Sequence, residues 1–253
     1  MGTSIVFVLA VTAIVAGLVL SYVWRRRRFE ALARVADEQG LVFRAGDLLG
    51  ALGLPFTLLR RGDRRRVTAS MSGTLADRDV HLFELEFVRV HHSGAQRREY
   101  RTYATCAHVR LGGLHLPGVR VSPENLVTRL GDRLGFRDQQ FESEEFNRRY
   151  QVQGTDPRAT SAVVDARMMA LLLELTDTKV SVELRGDHLV VWTDARIRPE
   201  AWPGLHHVAT SVADRVPRVA RELYRSSGDD DLWLPGWVPP QRARPGWFRV
   251  TGG

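Results

Sequence analysis

The segment Phe83-Glu84-Leu85-Glu86-Phe87 alternates apolar and acidic side chains at every position. Because successive side chains of a β-strand point to opposite faces, this period of two predicts a half-buried strand. The same alternation occurs in residues 67–75 before the segment and in residues 100–111 after it. Polar turns of hairpin length bound these stretches, at residues 61–64, 76–79 and 92–95. We therefore predict an antiparallel meander between residues 54 and 121.

Helices and one more hairpin are predicted after the meander. In chain order they are a helix with Ser122 as N-cap and Pro123 as first residue, a helical turn within residues 141–150, a strand over 150–153, a helix over 156–175 and a hairpin over 179–194. Capping side chains and Pro mark the helix starts, and Gly186-Asp187 marks the hairpin turn.

The last predicted helix carries one apolar stripe. Its members are three or four residues apart, as one face of an α-helix requires: Leu205, Val208, Val212, Val216, Val219 and Leu223. Pro217 interrupts the stripe and predicts a kink or a second helical segment. Strands and helices do not alternate along the chain, so we predict an α+β fold with an antiparallel sheet packed by helices. A barrel of the pleckstrin-homology type is a second interpretation.

The N-terminal residues predict a transmembrane helix. An uncharged stretch of 20 residues, IVFVLAVTAIVAGLVLSYVW, begins at Ile5 and ends at Trp24. At about 1.5 Å per residue it spans about 30 Å, the thickness of the hydrocarbon core of a bilayer. Four arginines follow it and are named the arginine collar: Arg25, Arg26, Arg27 and Arg28. A cleaved signal peptide, the alternative, has its basic residues before the apolar stretch rather than after it.

Three parts of the chain follow from this interpretation. Residues 1–28 form a membrane anchor, residues 29–225 an α+β domain, and residues 226–253 an extended tail rich in Trp, Pro, Gly and Arg. The domain begins with a helix over residues 29–39, which is either separate or a continuation of the transmembrane helix. The positive-inside rule predicts a single-pass plasma-membrane protein with its N-terminus outside and the domain in the cytoplasm. Ala13 and Gly17 form a small-residue pair through which two such helices pack as a homodimer.

Composition excludes several classes of protein. The single cysteine among 253 residues excludes a disulfide framework and a multi-cysteine metal site within one chain. The chain has 36 basic and 29 acidic residues, but four of the basic residues are the arginine collar and all acidic residues follow it. The remainder therefore carries a net charge of only +3. The bilayer is the predicted partner of the collar, and nucleic acid is not predicted as a partner.

No catalytic residue, metal or cofactor is predicted. Cys106 and His108 are two residues apart on a predicted strand and share a face, as a thiol activated by imidazole would. Packing in the middle of the sheet explains them equally, because no third orienting group is evident. His81, His108 and His115 are able to converge across neighbouring strands as metal ligands, but ordinary surface histidines are the simpler interpretation.

Two surfaces are candidates for partner or lipid contact. Arg64, Arg65 and Arg66 follow a turn. Together with five more arginines, Arg60, Arg61, Arg97, Arg98 and Arg101, they predict either solvated hairpin tips or a basic patch without aromatic residues at the lipid headgroups. In the tail, Trp233, Trp237 and Trp247 recur with Pro-Gly. They predict packing on the chain's own domain, insertion into the membrane interface or contact with a protein partner.

The chain resembles uncharacterised single-pass membrane proteins of high-GC actinobacteria. The likeness rests on the collared anchor, on Phe141-Glu142-Ser143-Glu144-Glu145-Phe146-Asn147-Arg148-Arg149-Tyr150 and on Asp165-Ala166-Arg167-Met168-Met169. It implies a cytoplasmic domain of unknown function and no catalytic residues. We predict a non-catalytic module that binds a protein or lipid partner at the inner membrane face. An enzyme without a recognised motif and an accessory subunit of a larger membrane assembly are the alternatives.

Overall fold

The computed structural model describes residues 2–47, 49–75, 78–93, 96–124, 137–175 and 179–226. The helices are α1 Gly2–Glu38, α2 Glu144–Arg149, α3 Pro157–Val163, α4 Ala166–Glu174, α5 Trp202–Arg215 and α6 Arg218–Leu223. The strands are β1 Val42–Ala45, β2 Arg64–Leu75, β3 Arg78–Ser93, β4 Gln96–Arg110, β5 Leu116–Pro123, β6 Arg137–Gln139, β7 Tyr150–Gly154, β8 Ser181–Gly186 and β9 His188–Thr193. The fold is therefore α+β, as predicted.

All strands form one antiparallel sheet in the order β1-β2-β3-β4-β9-β8-β5-β7-β6. The predicted meander is confirmed for β2, β3 and β4, and the predicted hairpin is confirmed as β8 and β9. This hairpin lies between β4 and β5, which are consecutive in the chain. Among the described strands, β1 and β6 are the two edges, so the sheet is open and the barrel interpretation is wrong.

Both faces of the sheet are covered. One face packs against helices in a large apolar core that includes Leu82, Ala107 and Val191 together with Val212 of α5. On the other face, residues 51–60 cover Phe83, Leu85, Cys106, Val190 and Trp192 with the apolar side chains of Ala51, Leu54, Phe56, Leu58 and Leu59. The prediction that β3 is only half buried is therefore wrong. Glu84 and Glu86 are 1% and 5% exposed, because arginines on neighbouring elements neutralise them.

Helix caps explain most of the local structure after residue 140. The Ser143 hydroxyl accepts a hydrogen bond from the amide of Phe146, and the predicted helical turn is confirmed as α2. The predicted helix over 156–175 is divided into α3 and α4, because Val164 leaves the helical conformation and Asp165 caps a second helix. Ser122 is not an N-cap, since β5 continues to Pro123, and most of the helix predicted there lies outside the described residues.

The predicted apolar stripe ends where α5 ends. Leu205, Val212 and Val216 are buried as predicted, but Val219 and Leu223 are 58% and 65% exposed. The chain is extended at Pro217, which leads into α6. This break changes the rotational phase of the second helix, so that Ala220 rather than Val219 faces the core.

Candidate membrane-proximal site

α1 is one continuous helix that joins the apolar span to the domain. Its described apolar window is wholly exposed and is long and apolar enough to cross a membrane. Its last turns are different, since Leu32, Val35 and Ala36 belong to the domain core. The helix over residues 29–39 is thus a continuation of the span, one of the two alternatives above. Gly40, in the left-handed conformation with φ 67°, follows its end.

The structure separates the members of the arginine collar. Arg25, Arg26 and Arg27 are exposed, as is Trp24. The side chain of Ile5 is outside the described set. Arg28 instead turns onto the domain, where its guanidinium donates to the carboxylate of Glu84 and to the carbonyl oxygen of Ile197 at 3.0 Å. The sequence cannot distinguish Arg28 from its neighbours, because its partner is 56 residues away in the chain.

Glu84 is the centre of a polar cluster beside α1. Besides Arg28, it accepts hydrogen bonds from Thr68, and Arg196 lies 2.9 Å from its Oε1. The guanidinium of Arg196 stacks over the ring of Tyr103, 3.8 Å from the ring centroid. A buried carboxylate is stable only with such partners, so the cluster fixes α1 to the middle of β3. We call Arg28, Glu84 and Arg196 the junction.

Glu86 extends this polar region along β3. The hydroxyl of Tyr103 donates to its Oε2 at 3.0 Å, and Arg66 donates at 3.2 Å. Burial raises the pKa of Glu86. The hydrogen bonds from Arg66 and Tyr103 and the nearby positive charges together lower it by more, so the net pKa lies below the ordinary value. Glu86 is therefore ionised at neutral pH.

The predicted basic patch is part of a long hairpin that projects beyond the rest of the sheet. We call residues 64–66, 88–93 and 96–102 the arm. Arg64 and Arg97 donate to one acceptor, Glu99, at 2.6 Å and 2.8 Å. Arg61 does not belong to the patch, because it pairs with Asp194 and lies over the ring of Trp192.

Two members of the arm were not found from the sequence. Arg89 and Tyr100 pair across β3 and β4, and Tyr100 is 52% exposed. The expectation that the patch has no aromatic residue is therefore wrong. The signal was present, since Tyr100 lies between Arg98 and Arg101 in the chain.

The candidate nucleophile is not activated. Cys106 is fully buried, and burial raises the pKa of its thiol well above the ordinary value. Burial also lowers the pKa of His108 well below its ordinary value, and the charges of His188, His81 and Arg110 lower it further. Since burial opposes both charged forms, these two side chains do not form a thiolate and imidazolium pair at neutral pH.

The histidines converge in a different combination from the predicted one. His81 and His108 pair across β3 and β4, with ring centroids 6.2 Å apart, and Nε2 of His108 is 3.0 Å from Nδ1 of His188. His188 takes the predicted place of His115, because β9 pairs with β4. No group of three His, Cys, Asp or Glu side chains that could hold a metal ion occurs among the residues described.

An open cleft lies at the end of the sheet opposite the arm. Arg110, Arg185, Asp187 and His188 are among its lining residues. Asp187 accepts hydrogen bonds from Arg110 and lies 3.2 Å from His188. Several polar side chains thus line one cleft, but it is open rather than the deep cleft expected of an enzyme active site. The tail tryptophans, Trp233, Trp237 and Trp247, lie outside the described residues.

In the part of the chain that the structure describes, a long helix continues from the core of a nine-stranded α+β domain into an apolar segment. The class is therefore an α+β domain joined directly to an apolar helix. No family model matches the sequence, and no curated protein matches it. Among solved structures, the chain is similar to the crystal structure of the mycobacterial trehalose monomycolate transport factor A, TtfA. The TM-score is 0.57 at 13% sequence identity, over 77% of this chain and 96% of that chain. The likeness shows a shared fold and agrees with the resemblance to actinobacterial membrane proteins.

Proposed function

We propose that this chain is a membrane-anchored, non-catalytic accessory subunit of an assembly that transports an envelope lipid. The observation that carries the proposal is the continuity of α1 from its apolar part into the domain core. With the apolar part in a bilayer, this continuity would hold the domain at a fixed position relative to the membrane. An enzyme of soluble substrates gains nothing from such rigid coupling, whereas a subunit that contacts a membrane partner does. The structural similarity to a mycolate transport factor supports transport as the class of process.

The proposed arrangement assigns a role to each part of the chain. Residues 1–28 anchor the protein with its N-terminus outside, residues 29–225 face the cytoplasm, and residues 226–253 form a tail. Ala13 and Gly17 on the exposed span provide a close-packing face for a second copy or for a helix of the partner. The tryptophans of the tail are candidates for the protein contact.

Topology is the first test of this arrangement. We expect a fluorescent protein fused after Gly253 to be bright and alkaline phosphatase at the same position to be inactive, because the collar arginines resist translocation. A reporter fused directly after Gly2 does not report on which side of the membrane the domain lies. The control is instead a known exported protein that carries each reporter in the same strain. Phosphatase activity at the C-terminus would contradict the cytoplasmic placement.

Rigid coupling is tested by a flexible insertion. We expect a Gly-Ser linker between Arg26 and Arg27 to leave the protein in the membrane fraction but to abolish its co-purification with a multi-span membrane protein in mild detergent. The insertion leaves the contact of Arg28 with Glu84 in place, so the domain is expected to remain folded. The matched control is the same insertion between Gly112 and Gly113, an exposed loop on the far side of the domain. The accessory role is wrong if the wild-type chain elutes alone in its detergent micelle.

A further inference from the structure

The direction of the arm follows from two contacts of α1. Arg28 contacts Glu84 in β3. Leu41, just after the end of α1, lies against Gly73, where a methyl group would come within 2.8 Å of the leucine side chain. Gly73 pairs with Val80 in β3. The chain direction of β3 from Val80 to Glu84 is therefore opposite to that of α1 from Arg28 to its end. The residues of β3 beyond Glu84 continue in the direction of the apolar span.

The arm is long enough to reach the bilayer that this span enters. From Glu84 to Ser93, β3 extends about 30 Å at about 3.3 Å per residue. From Arg28 to Trp24, α1 rises only about 6 Å. Even at 60° to the helix axis, the arm rises about 15 Å, well past the collar. Because the arm is charged, it is suited to the headgroup layer and not to the hydrocarbon layer.

One face of the arm is suited to that position. In antiparallel strands, directly paired residues share a face. Arg65 pairs with Phe87, Arg89 with Tyr100, and Arg98 with His91, so these three arginines and Tyr100 lie on the same face. All three are exposed, and none forms a salt bridge with any residue that the structure describes. Arg64 and Arg66, on the opposite face, pair with Glu99 and Glu86.

We propose that the arm binds the anionic headgroups of the leaflet next to the collar, through Arg65, Arg89 and Arg98, with Tyr100 in the interfacial layer. Arginines without a salt-bridge partner among the described residues and an exposed tyrosine are the side chains that favour this layer. The inference rests on the proposed anchor and adds a second, electrostatic membrane contact to it. The anchor and the arm together orient the domain, since one contact alone leaves it free to rotate about the axis of α1.

The test places a fluorophore on the arm of the full-length chain in lipid vesicles. Gln96→Cys provides an exposed thiol near the tip, and the native Cys106 is fully buried and does not react. The vesicles contain phosphatidylcholine with a headgroup quencher, with and without phosphatidylglycerol. We expect strong quenching only with phosphatidylglycerol, and we expect high salt to remove it. Glu222→Cys, exposed on α6, is the matched probe at the other end of the domain and should not be quenched.

Charge reversal identifies the face. Each arginine near an anionic surface changes the docking equilibrium about fivefold, so reversal of Arg65, Arg89 and Arg98 to Glu should shift it by at least about a hundredfold. The control triple is reversal of three exposed arginines outside the arm, Arg158, Arg215 and Arg218, which should leave quenching unchanged. High-salt loss of quenching in the wild-type chain keeps the test valid if the triple variant fails to fold.

The outcomes separate the arm from the anchor. Vesicles are recovered by flotation, so loss of the wild-type protein from them would overturn the anchor, whereas retention without quenching would overturn only the arm. Equal quenching with and without phosphatidylglycerol would also overturn the proposal. If the thiol of Gln96→Cys is protected from labelling in native membranes but its fluorophore is not quenched in vesicles, the face binds a protein partner instead of lipid.

Discussion

Replacement of Glu84 by alanine is expected to lower the free energy of unfolding by about 3 kcal/mol, because it leaves the guanidinium groups of the junction without a counter-charge. Glu84 is 1% exposed and pairs with both Arg28 and Arg196. Removal of one partner from a buried ion pair costs about 3–5 kcal/mol. The lower end applies because the side chain of Arg196 retains 37% exposure and is partly solvated.

Glu99→Ala is the matched control for this prediction. Glu99 also lies between two arginines, Arg64 and Arg97, but all three side chains are substantially exposed. Exposed ion pairs contribute about 0–1 kcal/mol, so we expect almost no change in stability. Urea titration of each full-length variant in detergent micelles, followed by tryptophan fluorescence, measures the difference. Equal midpoints for the two variants would show that the junction does not hold α1 to the domain.

The sequence was sufficient where structure is determined locally. Alternation in the segment from Phe83 to Phe87 predicts a strand because the period of a strand is two, whatever covers its faces. Asp156, followed by Pro157, predicts a helix start because its side chain accepts a hydrogen bond from the amide two residues ahead. Gly186-Asp187 predicts a hairpin turn because the two strands that it joins are adjacent in the chain, so the signal is again local.

The sequence was insufficient where distant segments meet. The insertion of β9 and β8 between β4 and β5 leaves no local signal, and for this reason His188 rather than His115 joins His108. The burial of Glu84 follows from arginines at distances of 56 and 112 residues in the chain, which no periodicity reveals. For the candidate site, the sequence indicates the collar and Arg65, whose contacts with lipid stay a prediction, but it carries no sign of the junction or of the direction of the arm.

Acidification from pH 6.5 to pH 4.5 is expected to destabilise the domain through its buried histidines. Burial lowers the pKa of His81 from 6.5 to about 4, although Asp47 opposes this shift. Burial also lowers the pKa of His108 and of His188. Below pH 6.5 the unfolded chain therefore binds protons that the folded chain does not. The contribution of these neutral histidines to stability is fully present above pH 6.5. It is lost as the pH falls towards their pKa values in the folded state.

His81→Leu separates this effect from general acid denaturation. One histidine contributes at most about 1.4 kcal/mol per pH unit, and about 3 kcal/mol in total for a shift from 6.5 to about 4. Nε2 of His81 has no hydrogen-bond partner within the described part of the chain, so leucine should be tolerated at neutral pH. We expect the variant to lose stability less steeply between pH 6.5 and pH 4.5, measured as urea midpoints.

His207→Leu is the matched control, because His207 is exposed on α5 beside the buried His206. The urea midpoints of this variant should change with pH as those of the wild-type chain do. The histidine contribution is wrong if His81→Leu and His207→Leu have the same slope between pH 6.5 and pH 4.5. In that case the acid sensitivity between pH 6.5 and pH 4.5 does not come from His81.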